Sequence, residues 1–420
     1  LGKNYTRDYS YTYNLRNYHI TSEGSAREYF YDSSNGHYDP QFDVIGPVTV
    51  SKNMAYYGKN IYDFDAAPWT MVKEACQLVD DSVDFKQYDN NNDGYVDFVY
   101  VIYAGYGEAD GGSANTIWPH SYWLLDAGTT CKLDGKYVDL YACGNEMDYF
   151  TQQHTGIGTF CHEFSHVLGL PDLYTTGGQS HKTMGSWDIL DYGPYNNDGN
   201  TPPAYSAYEQ FFMGWLMPRL IVDAENVELE ELQASNTALL ISSSDQHNLI
   251  GNDPKPTTFY LLENRQQVGW DEYLPGHGLM LTKVQYSSNS WLQNTVNNSS
   301  NRMGVDLIEA DGKAPSYDYY NKNNGYDGKA GDLFPAGASQ YLGIADHAIE
   351  EIEEVDGMIR FKYKGGVEEN ETAVENTRAN DEIIAIYNIL GQKQTTTNIE
   401  ELSRGTYVIM TATGSKKIVR

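Results

Sequence analysis

Residues 162–172 read HEFSHVLGLPD, and no other stretch constrains the chain as tightly. On a helix, His162 and His166 stand at i and i+4, so both imidazoles leave one face and can meet at a single ion, while Glu163 projects beside them with its carboxylate free. Thr155 and Thr159 are candidate caps ahead of a helix-periodic apolar run of Phe160, Phe164, Val167 and Leu168, and Gly169 is the residue type that ends a helix in the left-handed conformation. A turn at Gly169 swings Asp172 back toward the same ion. Zinc in a hydrolytic site takes three protein ligands and keeps a fourth position for water. His162, His166 and Asp172 meet that count, and Glu163 is the base that assists attack by a zinc-bound water and hands the proton to a leaving amine. The pattern predicts amide hydrolysis. Two other residues stay open as the third ligand: Glu209, on an expected helix over 203–215, and His181, just ahead of Met184.

From the motif outward the chain resembles the immune inhibitor A type of secreted metallopeptidase, whose motif reads HExxHxxGxxD and whose catalytic half is similar to the metzincins. The likeness is carried by GPVTVSKNMAYYG from Gly46, DFKQYDNNNDGYVDFVYVIYAGYGEA from Asp84, MGSWDILDYGPYNNDGNTPPAYSAYE from Met184 and FYLLENRQ from Phe259, and covers most of residues 30–365. It implies an α+β fold in which a metzincin-like catalytic domain is built around the zinc-binding helix, and a zymogen history in which a signal peptide and an inhibitory propeptide are removed. It also implies a methionine in a tight turn below the metal, often with a tyrosine two residues later. Here Leu190 stands at that point, close to methionine in volume and equally apolar; Met184 is the alternative. Tyr192 then becomes the candidate donor to the oxyanion of the tetrahedral intermediate.

A chain of 420 residues, 40% hydrophobic and 13% aromatic, is long enough for two or three domains with sizeable cores. Its 58 acidic against 28 basic residues give a formal net charge of −30, which argues against nucleic acid and anionic membrane surfaces as partners. No apolar run approaches the ~18 residues of a membrane span. With Leu at position 1 the chain reads as a processed or trimmed form, expected to be secreted or at a bacterial cell surface. Cys131 and Cys143 bracket an Asp134-Gly135 turn signal, so a disulfide between them is an open expectation in an oxidising compartment; Cys76 and Cys161 read as buried thiols.

Along the chain, 66–79 reads as an amphipathic helix and 96–104 as a buried strand, with 111–120 a candidate rim of the substrate cleft. Between them, Asp89, Asn91, Asp93, Tyr95 and Asp97 surround Gly94 with the oxygen spacing of the first part of a calcium loop. Position 12 is Tyr100 rather than Glu, so a structural calcium ion fits better than a sensor. After Met217, short strands at 228–232, 238–242, 259–263, 278–286 and 358–363 alternate with Asn, Gly, Asp and Pro loops, which predicts a β-sandwich-like domain. The expected organisation is a catalytic domain at 1–220, a β-rich domain at 221–364, an acidic linker at 365–380 and a small β-module at 381–420. That last module resembles the C-terminal sorting domain of type IX secretion substrates, which implies the secretion machinery as a partner.

The leading functional expectation is a secreted zinc endopeptidase acting on proteins or peptides. A non-catalytic, metal-stabilised surface adhesin or binding protein is the competitor, favoured by the β-rich second half and by Leu190. A zinc amidase acting on cell-wall or small-molecule amides is the third reading. Glu163 weighs against the adhesin, because a purely structural site has no need of a carboxylate in the base position.

Overall fold

The structure, a computed structural model, describes residues 24–62, 64–179, 181–312, 328–368, 383–388, 392–403, 406–411 and 414–419. Most of the expected linker and the turn expected at 390–391 lie outside the described residues, as does the start of the expected catalytic domain. Two compact units divide the chain, Leu1–Gly365 and Gly366–Arg420. The parts expected at 1–220 and 221–364 lie together in the first.

In the first half, Pro68 sits at the start of helix Pro68–Val79, where its missing N–H is not needed, and Met71, Val72 and Cys76 form the buried face. That face joins a core with Tyr103, Tyr141 and Cys143. Strand Val99–Tyr106 runs parallel to Leu140–Met147, with Val99 opposite Tyr141. On the other side of Leu140–Met147, His120–Trp123 pairs antiparallel and forms an edge. His120 opens that edge strand with both ring nitrogens engaged, Nδ1 at 2.7 Å from the Trp118 carbonyl and Nε2 at 2.9 Å from the Tyr141 hydroxyl.

The expected disulfide does not form. All four cysteines are free and buried. Asp134 and Gly135 both take positive φ, as a tight two-residue hairpin turn requires, and the hairpin they close pairs Cys131 with Val138. Cys143 belongs instead to the three-stranded sheet, opposite Val101 and His120.

The second half is built on a five-stranded sheet in the order Val305–Leu307, Gly278–Gln285, Thr258–Arg265, Leu239–Ser242 and Arg219–Leu220. Both faces of this sheet are buried, and the period-2 alternation of the strands divides their side chains between two cores. Leu239, Ile241, Leu262, Leu279 and Leu281 face Val227, Ile349, Ile359 and Phe361 of a smaller three-stranded sheet. Leu240, Leu261 and Met280 face the other way, into a core with Phe160, Phe164 and Leu190. The helix expected at 203–215 is confined to Ala207–Phe212, opened by a capping box between Ser206 and Glu209.

A buried ionic network ties these parts together. Arg265, fully buried, donates through Nε and Nη2 to Asp271 at 2.7 and 2.6 Å, and through Nη1 to Glu263 at 3.3 Å. Glu263 also accepts from the N–H of Ala207. Removing one partner of such a buried pair costs about 3–5 kcal/mol.

In the second unit, Ile383–Asn388, Thr406–Thr411 and Gly414–Val419 form an antiparallel sheet in that order. Ile386, Leu402, Tyr407 and Ile409 make its core.

Candidate metal centre

The motif helix is Gly158–Val167, and its first residue explains its position. A Cβ on Gly158 would sit 1.9 Å from the carbonyl oxygen of Pro194, so only glycine lets the helix lie this close to the 193–199 segment. The N-cap is Ile157, which supplies no side-chain bond; neither Thr155 nor Thr159 caps the helix. Its C-terminal end follows the sequence more closely. Gly169 takes φ +91, the Gly169 N–H donates to the His166 carbonyl at 2.9 Å, and the Leu170 N–H donates to Ser165 at 3.2 Å. This pair of bonds is a Schellman ending, and it turns the chain back along the helix.

That turn brings His162, His166 and Asp172 together. Asp172 Oδ1 lies 3.2 Å from Nε2 of each histidine, and the two Nε2 atoms are 3.3 Å apart. Nδ1 of His162 meets the Ile189 carbonyl at 2.8 Å, and Nδ1 of His166 meets the Leu170 carbonyl at 2.8 Å. A carbonyl only accepts, so each Nδ1 carries the hydrogen and each Nε2 turns its lone pair inward. Asp172 Oδ1 is buried with no hydrogen-bond donor among the described residues. Ligands ~2.0–2.1 Å from a tetrahedral ion stand about 3.3 Å apart, so these three atoms could hold one divalent cation. Neither Glu209 nor His181 joins them: Glu209 caps its own helix, and His181 Nε2 meets the Asn297 carbonyl at 2.8 Å.

Charges within the site depend on one another. Burial opposes a charged His166, but the adjacent Asp172 carboxylate outweighs it and holds the imidazole up to about 9. Burial likewise opposes a charged Asp172, yet His166 and His162 keep its carboxyl well below the ordinary carboxylate range. Glu163 is buried and makes no hydrogen bond to a described residue; burial raises its pKa, and the two histidines pull against that rise.

Several participants carry no signal in the sequence. Asn294, 122 residues beyond Asp172, grips it twice: Asn294 Nδ2 donates to Asp172 Oδ2 at 2.6 Å, and the Asp172 N–H donates to Asn294 Oδ1 at 2.8 Å. The Tyr174 ring stacks on His162 with centroids 6.2 Å apart. Tyr192, the expected oxyanion donor, is half-buried with its ring 6.2 Å from that of the exposed Tyr195, and the phenols of Tyr174 and Tyr195 both lie within electrostatic reach of the Glu163 carboxylate. Leu190 and Met184 are both buried in the core beneath the helix; the Leu190 carbonyl accepts from the N–H of Leu173 at 2.8 Å.

The loop at 89–97 is separate from this cluster. Asp89 accepts the N–H groups of Asp93 and Gly94 at 3.0 and 3.1 Å, Asn91 and Asp93 cap the following N–H groups, and Asp97 accepts from Asn90. The ammonium of Lys136 also sits on Asp89.

Two imidazoles and a carboxylate around one point, with a second carboxylate alongside, have the donor chemistry of a metal-dependent hydrolase. Residues 10–217 match the immune inhibitor A peptidase M6 catalytic domain. The chain is 28% identical over 239 residues to the pre-pro-metalloprotease PrtV of Vibrio cholerae, covering 50% of this chain and 26% of that protein. It is also 28% identical over 220 residues to immune inhibitor A of Bacillus thuringiensis subsp. alesti, covering 44% of this chain and 31% of that protein. The chain therefore spans about a quarter to a third of these relatives. Among the described residues, no helix is long and apolar enough to cross a membrane.

Asn294→Ala removes both Asn294 bonds to Asp172 while leaving the three candidate ligand atoms in the chain. Loss of such an outer partner is expected to weaken metal affinity about 10–100-fold, read by competition with a chromogenic chelator. Unchanged affinity would show that Asp172 is held without Asn294, by the Gly169 turn and its remaining contacts.

Proposed function

We propose that this protein is a secreted zinc endopeptidase in which His162, His166 and Asp172 hold the metal and Glu163 is the general base. One observation carries the reading: three ligand atoms 3.2 to 3.3 Å apart, on buried His162 and Asp172 and half-buried His166, with a buried carboxylate beside them that makes no hydrogen bond to a described residue. Zinc bound there supplies Lewis-acid chemistry, acidifying water and polarising a carbonyl. The chain's own groups supply the rest. The Ile189 and Leu170 carbonyls keep both Nε2 lone pairs turned to the centre. Glu163, its basicity raised by burial, takes a proton from the attacking water and returns it to the leaving amine. Tyr192 is the proposed oxyanion donor, and Tyr174 and Tyr195, whose phenols lie within electrostatic reach of Glu163, are further candidates for that role.

Purified Glu163→Ala protein is expected to keep about one zinc per chain and lose at least ~100-fold in cleavage of an unfolded protein substrate. Tyr192→Phe in the same assay assigns the donor. Full activity in Glu163→Ala would sink the mechanism.

Two finer proposals concern the periphery. The 89–97 loop is proposed to take a structural calcium ion, supported by Gly94 at φ +96 and by the carboxylates of Asp89, Asp93 and Asp97, with the ion displacing Lys136. Calcium at ~100 times its Kd should then stabilise the fold by about 2.7 kcal/mol, and an unmoved melting temperature in millimolar calcium would remove the ion. Secretion through a sorting module is proposed for 381–420, and processing from a zymogen is supported by the pre-pro form that the name of the Vibrio relative records. Deleting 381–420 should leave the protein inside the producing cell's envelope, and unimpaired release would refute the sorting role.

A further inference from the structure

Beneath the metal site lies a second group of acids that the proposed mechanism does not use. Asp188 and Glu209 are buried, and their carboxyl groups are in hydrogen-bonding contact. Yet Asp188 Oδ2 and Glu209 Oε1 are both buried without a donor among the described residues. Two ionised carboxylates cannot sit in this way: their facing oxygens are both acceptors, and like charges at contact in a dry environment repel strongly. One proton between them satisfies both oxygens at once.

The remaining contacts say which residue carries it. Glu209 Oε2 already accepts from the Ser206 N–H at 2.7 Å and from the Ser206 hydroxyl at 2.5 Å, which leaves Oε1 as the protonated oxygen. Asp188 is the better placed anion, with Oδ1 accepting the Leu190 N–H at 2.8 Å and Arg265 near enough to favour its charge. Burial and the Asp188 charge both push the Glu209 carboxyl well above its ordinary range.

Asp188 in turn organises the segment beside the ligands. Its carbonyl accepts the N–H groups of Asp191 and Gly193 at 3.2 and 2.9 Å, closing the turn over 188–193. That turn presents the Ile189 carbonyl to His162 and the Leu190 carbonyl to Leu173, the neighbour of Asp172. We infer that Glu209 is a positioning residue: its neutral carboxyl donates from Oε1 to Asp188 Oδ2 and thereby fixes the turn that orients His162. This inference rests on the reading of His162 as a metal ligand.

The full-length protein, its Glu209→Gln variant and its Glu209→Ala variant are compared for zinc affinity by chelator competition and for thermal melting from pH 5 to 9. Glutamine keeps a donor facing Asp188 and has no proton to lose, so Glu209→Gln is expected to hold zinc within about twofold of wild type. Glu209→Ala, confirmed folded by circular dichroism, should lose tenfold or more.

The melting profile adds a readout that packing alone would not move. A carboxyl whose pKa is raised on folding loses stability as pH rises from its unfolded value through its folded one. The wild type should therefore lose melting temperature toward alkaline pH more steeply than Glu209→Gln. Asp188, Asp191, Glu263 and Arg265, and the phenols of Tyr29, Tyr205 and Tyr208, also surround the pair and are common to both proteins, so the difference between the profiles reports the Glu209 proton together with its effect on these neighbours.

Zinc loss in Glu209→Gln as large as in Glu209→Ala, or parallel melting profiles for Glu209→Gln and wild type, would overturn the shared proton. Wild-type zinc affinity in folded Glu209→Ala would overturn the positioning role. A wild type that takes up no zinc would instead overturn the reading of His162 as a ligand, and the melting comparison would then judge the proton by itself.

Discussion

Three lone-pair atoms held 3.2 to 3.3 Å from one another and shielded from water form an arrangement that is unfavourable unless positive charge sits among them. Much of the local structure reads as a means of holding that arrangement. Two backbone carbonyls fix the imidazoles, a glycine turn returns the carboxylate, and an asparagine from a distant loop holds it from behind. Without a metal, a proton on His166 meets part of the same need, which is why that imidazole is held up to about 9 against the burial that opposes it. A metal bound there would compete with that proton for one cluster of negative potential.

The proposed ligands come from eleven consecutive residues, but their restraints come from much further away. His162 is oriented from Ile189, and Asp172 from Asn294. Asn297, a few residues further along, donates to the carbonyls of Leu173 and Val305, so the same loop joins the metal segment to an edge strand of the five-stranded sheet. With both of its faces buried, that sheet is less a separate support than the floor on which the site is assembled. A catalytic part and a β-rich part can be told apart in sequence, yet they share a core through Leu240, Leu261 and Met280.

This division explains what could be read from sequence. The motif helix, its glycine ending and the alternating strands of the second half were legible because each leaves a local periodicity or a backbone requirement in consecutive residues. Asn294, Tyr174 and Tyr195 leave none: a polar residue in a loop looks the same whether or not it meets a carboxylate 122 residues away. The disulfide expectation failed for a related reason. The Asp134-Gly135 turn was correctly read as a hairpin, but register pairs Cys131 with Val138, and the spacing of two cysteines around a turn does not reveal which strand each will join. Likewise Lys136, the residue directly after that turn, reaches Asp89 in the separate 89–97 loop, a contact that a count of loop oxygens has no means of finding.

The buried acids follow from the same electrostatics on a larger scale. Glu263 and Asp271 bond a single guanidinium, that of Arg265, whose charge also reaches Asp188, while Glu209 lies against Asp188 and near Glu263, and four ionised carboxylates would leave a large uncompensated charge in a buried region. Part of that charge has to be removed by protonation. Glu263 shows the pressure even with Arg265 beside it, since burial pushes its carboxyl up to about 7. Asp271 is protected by two close bonds from the guanidinium and Asp188 by a backbone N–H together with the reach of that same guanidinium, whereas Glu209 has neutral donors from Ser206 and faces the Asp188 charge, so Glu209 is the member with the weakest claim on an ionised state. A proton kept at that position turns a repulsive contact into a donor, and the donor acts on the turn that the metal site leans against.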